Sequence, residues 1–272
     1  MARGNIIRRL SHRSKISTVM NIAVIGTGHM GAPIARALWQ AGCAVAVHNR
    51  TASRATALAA DCPGMRVADN IPEAVHGADM VILAVKPHLI ITVMQQALAV
   101  APEAAMVSLA PGITLEQLEE AGADRVLRLM PNVAIACGEG MSFICHNAGG
   151  AEEAAALKEA LAPTGAVAVV EERLFEPAMA VASCGIAFAL RYVRAATEGA
   201  VALGLAPADA TAYIARTLRG AAALLEAPDA HPENLIDSVT TPGGATIRGL
   251  LAMEQAGFST AVAAGLLASC KR

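Results

Sequence analysis

The run Gly26-Thr27-Gly28-His29-Met30-Gly31 has the G-x-G-x-x-G spacing with which a loop can wrap a pyrophosphate. In that chemistry Gly26 makes the tight turn, Gly28 lets the backbone approach the phosphates, and Gly31 lets helix and strand pack closely. The spacing alone is weak in a chain with 23 glycines, so its context decides. Asn21 to Ile25, just before it, reads as a buried strand. Ala32 to Ala41, just after it, reads as a helix whose N-terminus offers unpaired N–H groups and partial positive charge. Thr27, His29 and Met30 complete the candidate cofactor loop.

About 20 residues further on, a site for NAD usually places Asp or Glu against the ribose hydroxyls. Here stand His48, Asn49, Arg50 and Thr51. A carboxylate would repel a 2′-phosphate, whereas Arg50 can pair with one and Asn49 and Thr51 can donate hydrogen bonds, which favours NADPH and leaves NADH possible. Alternatively, Arg50 is a solvated residue at a helix start. Val85, Lys86 and Pro87 follow a later strand at the edge that faces the ligand crevice in a doubly wound sheet, and are candidates to line the ribose or nicotinamide. In the bland reading Pro87 merely opens a helix and Lys86 is solvated.

In the second half, Thr240 to Ile247 joins a candidate N-cap, Thr241, to a candidate first helical residue, Pro242, and two glycines, Gly243 and Gly244. Bare backbone N–H groups at such a helix start can hold a carboxylate, and the Thr246 hydroxyl in the first turn can face the same ligand. The competing reading is a purely structural cap.

These residues need a scaffold. A chain of 272 residues suggests two domains. Short apolar runs alternate with amphipathic stretches from Asn21 to about Val170: 22–25, 44–47, 81–85, 106–109, 125–129, 141–144 and 166–170. This pattern predicts a Rossmann-type α/β domain with a doubly wound parallel sheet over residues 21–171. Its first helix is expected over 29–41, with Gly42 as the glycine that ends it. Beyond Glu172 the strand signal stops. Helices are expected over 174–203, 208–225 and 235–239, with two more starting near Pro242 and Phe258, giving an all-helical domain over 172–272. Too much of the first long helix is apolar for one exposed face, which predicts burial on several sides, within the domain or against a second copy, and makes homodimerisation through this half a natural expectation.

A formal net charge of -2 gives no reason to expect nucleic acid or acidic lipid as a partner. No acid precedes Asp61, so Arg36, Arg50 and Arg54 are expected to give the first third a positive face suited to phosphate, unless the scarcity is chance. The longest purely apolar stretch, between Glu176 and Arg191, is short for a membrane span of about 20 residues, so the chain reads as soluble. Six cysteines without a C-x-x-C pair fit free thiols in a reducing compartment and call for no metal. Residues 1–20 carry five basic residues and no acid, as a transit peptide or basic tail would, but Met20 directly before the first strand also fits a natural start.

Over residues 235–251 the chain resembles the C-terminal motif of pyrroline-5-carboxylate reductases. The G-T-G-H-M-G loop, Asn49-Arg50, Val85-Lys86-Pro87, Arg128-Leu129-Met130-Pro131-Asn132 and Gly138-Glu139-Gly140 agree in order. The resemblance implies reduction of the cyclic imine 1-pyrroline-5-carboxylate to L-proline in the cytoplasm, by hydride transfer to C5. It further implies a Rossmann domain followed by a helical dimerisation domain, with each substrate pocket completed by the partner protomer. By matching position, Thr246 would bond the ring nitrogen and assist proton delivery, Thr241, Gly243 and Gly244 would hold the substrate carboxylate, Cys184 would border the substrate, and Asn132 would belong to the cofactor site. His29 stands where many members carry Asn. Val133-Ala134 replaces a Thr-Pro pair, and Ala182 to Phe188 lacks hydroxyls common in that wall, which bears on ring preference. A β-hydroxyacid dehydrogenase shares the loop, but its long helix carries a lysine where this chain offers Arg191 and Arg194, and arginine is no proton shuttle. A dinucleotide-binding regulator without turnover is the other rival; Thr246 speaks against it.

Overall fold

The computed structural model describes residues 19–270; of the basic stretch 1–20, residues 1–18 lie outside the described residues. The strands are β1 (Asn21–Ile25), β2 (Ala44–His48), β3 (Arg66–Val67), β4 (Met80–Leu83), β5 (Ala105–Ser108), β6 (Val126–Pro131), β7 (Gly140–His146) and β8 (Gly165–Val169). They form one 8-stranded sheet in the order β3-β2-β1-β4-β5-β6-β7-β8. β1 lies between β2 and β4 and is parallel to both. Ile22, Ala23, Val24 and Ile25 are all buried, as expected of a parallel strand covered on both faces. The helices among the strands are α1 (Gly31–Gln40), α2 (Ala52–Ala60), α3 (Ile71–Val75), α4 (Ile90–Leu98), α5 (Leu115–Glu120) and α6 (Ala151–Leu161). Ile34 and Leu38 of α1, Leu58 of α2 and Leu157 of α6 join Ile22, Val24, Val45 and Val47 in one core cluster.

The succession of strands reverses direction between β1 and β4. That makes the carboxyl ends of these two strands the topological switch point, where open α/β sheets bind their ligands. The two-residue β3 was not anticipated, because so short a strand carries no alternation to read. α1 begins at Gly31, not His29, because residues 28–30 still belong to the turn. Gly42 ends it as expected: with φ +90° it lets its own N–H reach the Trp39 carbonyl and the Cys43 N–H reach Leu38, a Schellman pair.

The second unit consists of residues 131–133 and 170–272. Its helices are α7 (Glu172–Met179), α8 (Gly185–Ala202), α9 (Pro207–Leu225), α10 (Pro232–Ser238), α11 (Ala245–Gln255) and α12 (Phe258–Ser269). A π-helical turn, Ala180–Cys184, joins α7 to α8. Together they make a 31-residue helix, Glu172–Ala202, long and apolar enough to cross a membrane. It matches the helix expected over 174–203, and it reaches that length only by running past Arg191, Arg194 and Glu198, since its purely apolar stretch ends at Arg191. α8, α10, α11 and α12 bury no residue within the chain, and Val181 and Leu190 are each 62% exposed. Apolar helix faces left open on this scale mark an interaction surface.

Candidate active site

The glycine loop is wedged between strand ends. Gly26 N–H donates to the His48 carbonyl at 2.8 Å, and Ala84 N–H donates to the Ile25 carbonyl at 2.8 Å. Gly26 has φ +104°, and a Cβ there would stand 2.5 Å from the Ala84 carbonyl oxygen. A Cβ on Gly31 would overlap the Gly26 carbonyl, so this glycine fixes how closely α1 meets the loop. Gly28 differs: nothing lies within 4 Å of where its Cβ would be, which leaves open space on the ligand side of the loop.

Three observations fit a dinucleotide here. Thr27 is 5% exposed, yet its hydroxyl has no hydrogen-bond partner among the described residues. α1 opens without a side-chain cap and without an acid in its first turn; Pro33 has no N–H and the Ala32 N–H donates to the Gly28 carbonyl at 3.1 Å, so the first turn leaves the Gly31 N–H for an anion. Arg50 and Arg54 are exposed and form no ion pair among the described residues. Arg36 does not share this role, contrary to expectation, because it is bonded to Asp61 at 2.9 Å. Both partners are largely exposed, so the pair adds at most about 1 kcal/mol of stability. Its effect is to remove Arg36 from the positive face.

Asn49 is engaged otherwise than the sequence suggested. Its Oδ1 accepts from Thr27 N–H at 3.0 Å and its Nδ2 donates to the Thr51 carbonyl at 2.9 Å. The amide therefore braces the glycine loop against the turn after β2. Arg50 is left as the outward group, and Thr51 takes the N-cap position of α2 without a side-chain cap bond. His29 is exposed, and Met30 is half-buried as the residue before α1. Val85 is half-buried, and Lys86 and Pro87 are exposed at the carboxyl end of β4, where Pro87 opens the 3-10 turn Pro87–Leu89 leading into α4.

In the helical unit, Asn132 is 7% exposed and donates from Nδ2 to the Ala182 carbonyl at 3.1 Å. A π-helical turn takes carbonyls off the usual i→i+4 ladder, and this side chain meets one of them. Cys184 lies two residues on in the same turn, half-buried.

The turn before α11 is not the cap that its residue types suggest. α11 starts at Ala245 with Gly244 as N-cap, and Thr241 caps nothing. Instead Thr241-Pro242-Gly243-Gly244 forms a β-turn: Gly244 N–H donates to the Thr241 carbonyl at 2.9 Å and Gly243 has φ +68°. Pro at the second place and a positive φ at the third are the marks of type II, and residue types alone do not separate this turn from an N-cap followed by N1 proline. A Cβ on Gly244 would overlap Thr241 Oγ1. Since Gly244 N–H is used inside the turn, the donors left for a ligand are Gly243 N–H and the first N–H groups of α11.

Thr246 is exposed at the second position of α11, and its hydroxyl has no partner within the described residues. Elsewhere in this unit Thr197, Thr211, Thr217 and Thr240 each donate to the carbonyl four residues earlier. At the second position of a helix the residue four back is outside it, here Pro242, so Thr246 keeps its hydroxyl free. Sequence reasoning missed one neighbour: Arg248 Nη1 donates to the Gly243 carbonyl at 2.7 Å. A side chain bonding backbone leaves no pattern in a sequence.

Residues 21–110 match the family model of the NAD binding domain of 6-phosphogluconate dehydrogenase, and residues 172–272 match that of pyrroline-5-carboxylate reductase dimerisation. The chain is 31% identical to pyrroline-5-carboxylate reductase 2 of Dictyostelium discoideum, over 93% of this chain and 91% of the other. Among solved structures it is similar to a pyrroline-5-carboxylate reductase from Coxiella burnetii, with TM-score 0.85, 26% identity, and 93% of this chain and 97% of that one covered. It shares its fold with the pyrroline carboxylate reductase of Plasmodium falciparum with NADP bound, with TM-score 0.81, 20% identity, and 92% and 95% covered.

Proposed function

The chain belongs to the pyrroline-5-carboxylate reductase family, and we propose how it forms L-proline from 1-pyrroline-5-carboxylate: the first unit holds NADPH, and the turn before α11 holds the imine. The observation that carries this reading is the Thr246 hydroxyl, without a partner among the described residues, in the first turn of α11 beside the glycine pair, whereas Thr197, Thr211 and Thr217 of the same unit are bonded back to their own helices.

When bound, NADPH would supply the hydride that C5 of the imine takes up. The chain's own task is to bind, orient and supply a proton. Gly243 N–H and the first N–H groups of α11 hold the carboxylate, aided by the positive end of the helix dipole. Thr241 shapes the turn and Gly244 keeps it tight. The Thr246 hydroxyl donates a hydrogen bond to the ring nitrogen, which must gain a proton when the C=N bond is reduced. A hydroxyl is too weak an acid to act alone, so it passes on a proton taken from solvent. Once the nitrogen has gained that proton the iminium is electrophilic, so orientation supplies much of the rate. On the cofactor side the Thr27 hydroxyl and the Gly31 N–H would meet the pyrophosphate, while Arg50, before α2, and Arg54, in the first turn of α2, would meet the 2′-phosphate. The absence of a carboxylate at residues 48–51 and the exposed guanidinium of Arg50 support NADPH over NADH.

The helical unit is a homo-oligomerisation unit. The apolar faces of α8 to α12 are covered by a second copy, not by lipid, in a soluble cytoplasmic dimer whose partner completes each substrate pocket. The match to a dimerisation family over 172–272 supports this reading, because it contains the whole apolar helix Glu172–Ala202.

The test is oxidation of NADPH by the purified protein with 1-pyrroline-5-carboxylate, with L-proline identified as product, beside the six-membered piperideine analogue and a 3-hydroxy acid with NADP. Turnover only with the six-membered ring would move the substrate assignment; turnover only with the hydroxy acid would overturn it.

A further inference from the structure

We infer that Arg248 is a specificity-determining residue that reads the carboxylate of the imine. This inference rests on the assignment of the turn at Thr241–Gly244 to that carboxylate. Arg248 is the fourth residue of α11, and its guanidinium folds back past the start of the helix to the Gly243 carbonyl, at 2.7 Å. One of its N–H groups is used there, and a guanidinium has five, so the fork retains donors and its full charge beside the turn.

The placement is electrostatically unfavourable on its own. The start of a helix already carries about half a positive charge, which favours anions and disfavours cations. The first turn of α11 holds no acid, and no ion pair takes up the Arg248 charge among the described residues. Arg194 of the same unit shows the ordinary alternative, pairing with Glu198 four residues on at 3.1 Å. Two positive features converge on the Thr241–Thr246 segment without a counter-charge, and a bound carboxylate supplies one. The Gly243 bond holds the guanidinium in place, so that a planar fork faces a planar anion.

Two consequences separate this role from mere support of the turn. A charge that reads the carboxylate acts on substrates that carry one and is indifferent to those that do not. It also acts on binding, and so on KM, more than on the chemical step.

The experiment compares wild type, Arg248→Ala and Arg248→Lys on 1-pyrroline-5-carboxylate and on 1-pyrroline, the same ring without its carboxylate. Thermal unfolding and KM for NADPH are followed as controls. For Arg248→Ala, KM for the carboxylated imine is expected to rise about tenfold to a hundredfold, the scale of one lost bond to a charged group, with kcat within about twofold. kcat/KM for 1-pyrroline is expected to stay unchanged, and Arg248→Lys to restore part of the loss. Equal losses on both rings would overturn the inference, as would no loss on either. A wild-type protein that turns over 1-pyrroline but not the carboxylated ring would overturn the parent assignment and this one with it.

Discussion

Asn49 and Thr27 are joined across the carboxyl ends of β1 and β2: the Asn49 Oδ1 accepts the Thr27 N–H at 3.0 Å, while its Nδ2 donates to the Thr51 carbonyl. One amide thus fixes the glycine loop from behind and leaves the front of the loop to the ligand. Asn49→Ala is expected to weaken NADPH and NADH by similar factors, about fivefold to tenfold, since a shared loop is loosened and one net hydrogen bond is about 1 kcal/mol. Titration of both cofactors by fluorescence checks it; a loss confined to NADPH would mean that Asn49 touches the 2′-phosphate after all.

Arg50 makes the opposite prediction. With Arg36 tied to Asp61, Arg50 and Arg54 remain as the open cations near the end of β2. Arg50→Ala should cost NADPH about tenfold or more in affinity and leave NADH nearly unchanged, because only the former offers a phosphate to pair. Equal losses measured for the two would contradict the assignment.

The glycines of the loop separate fold from function. Gly31→Ala drives a methyl group into the Gly26 carbonyl, and a destabilisation of roughly 2 kcal/mol or more is expected from such overpacking. Gly28→Ala adds a methyl group to open space. Its melting temperature should match wild type while dinucleotide affinity falls. Calorimetry of the two variants with and without NADPH distinguishes them; a destabilised Gly28→Ala protein would show that the space is structural.

The cysteines give a prediction about access. All six are thiols outside any disulfide; Cys43, Cys62 and Cys145 are buried, and Cys137 is exposed. Burial also pushes the Cys43 thiol pKa up, which lowers its reactive thiolate fraction in the native state. Alkylation followed by peptide mass mapping should mark Cys137 first, and Cys43 only on unfolding. Early labelling of Cys43 would mean that the core around β2 opens locally.

Much of this was legible in the residues, for physical reasons that differ by element. The cofactor loop could be read because each glycine answers a local steric demand and the flanking strand and helix are contiguous in sequence. The turn before α11 was only half legible: Thr-Pro-Gly-Gly satisfies both an N-cap with N1 proline and a type II turn, and the positive φ of Gly243 decides. The Arg36–Asp61 pair spans 25 positions and the Arg248 bond ends on a backbone carbonyl, so neither leaves a periodic signal. The long apolar helix was legible at nearly its full length, 174–203 against Glu172–Ala202, because its helical pattern runs on past the surface pair Arg194–Glu198.

The most direct test of the central claim, that the imine is reduced over the turn before α11, is the turnover of Thr246→Ala beside Thr246→Ser, with NADPH affinity measured on the same samples. The account predicts that Thr246→Ala lowers kcat with 1-pyrroline-5-carboxylate by about tenfold to a hundredfold, on the scale of one lost general acid–base contact. Thr246→Ser should recover most of it, and NADPH affinity should stay as in wild type. Wild-type turnover in Thr246→Ala would contradict the account and remove this hydroxyl, and with it the proposed place of the ring nitrogen, from the reaction.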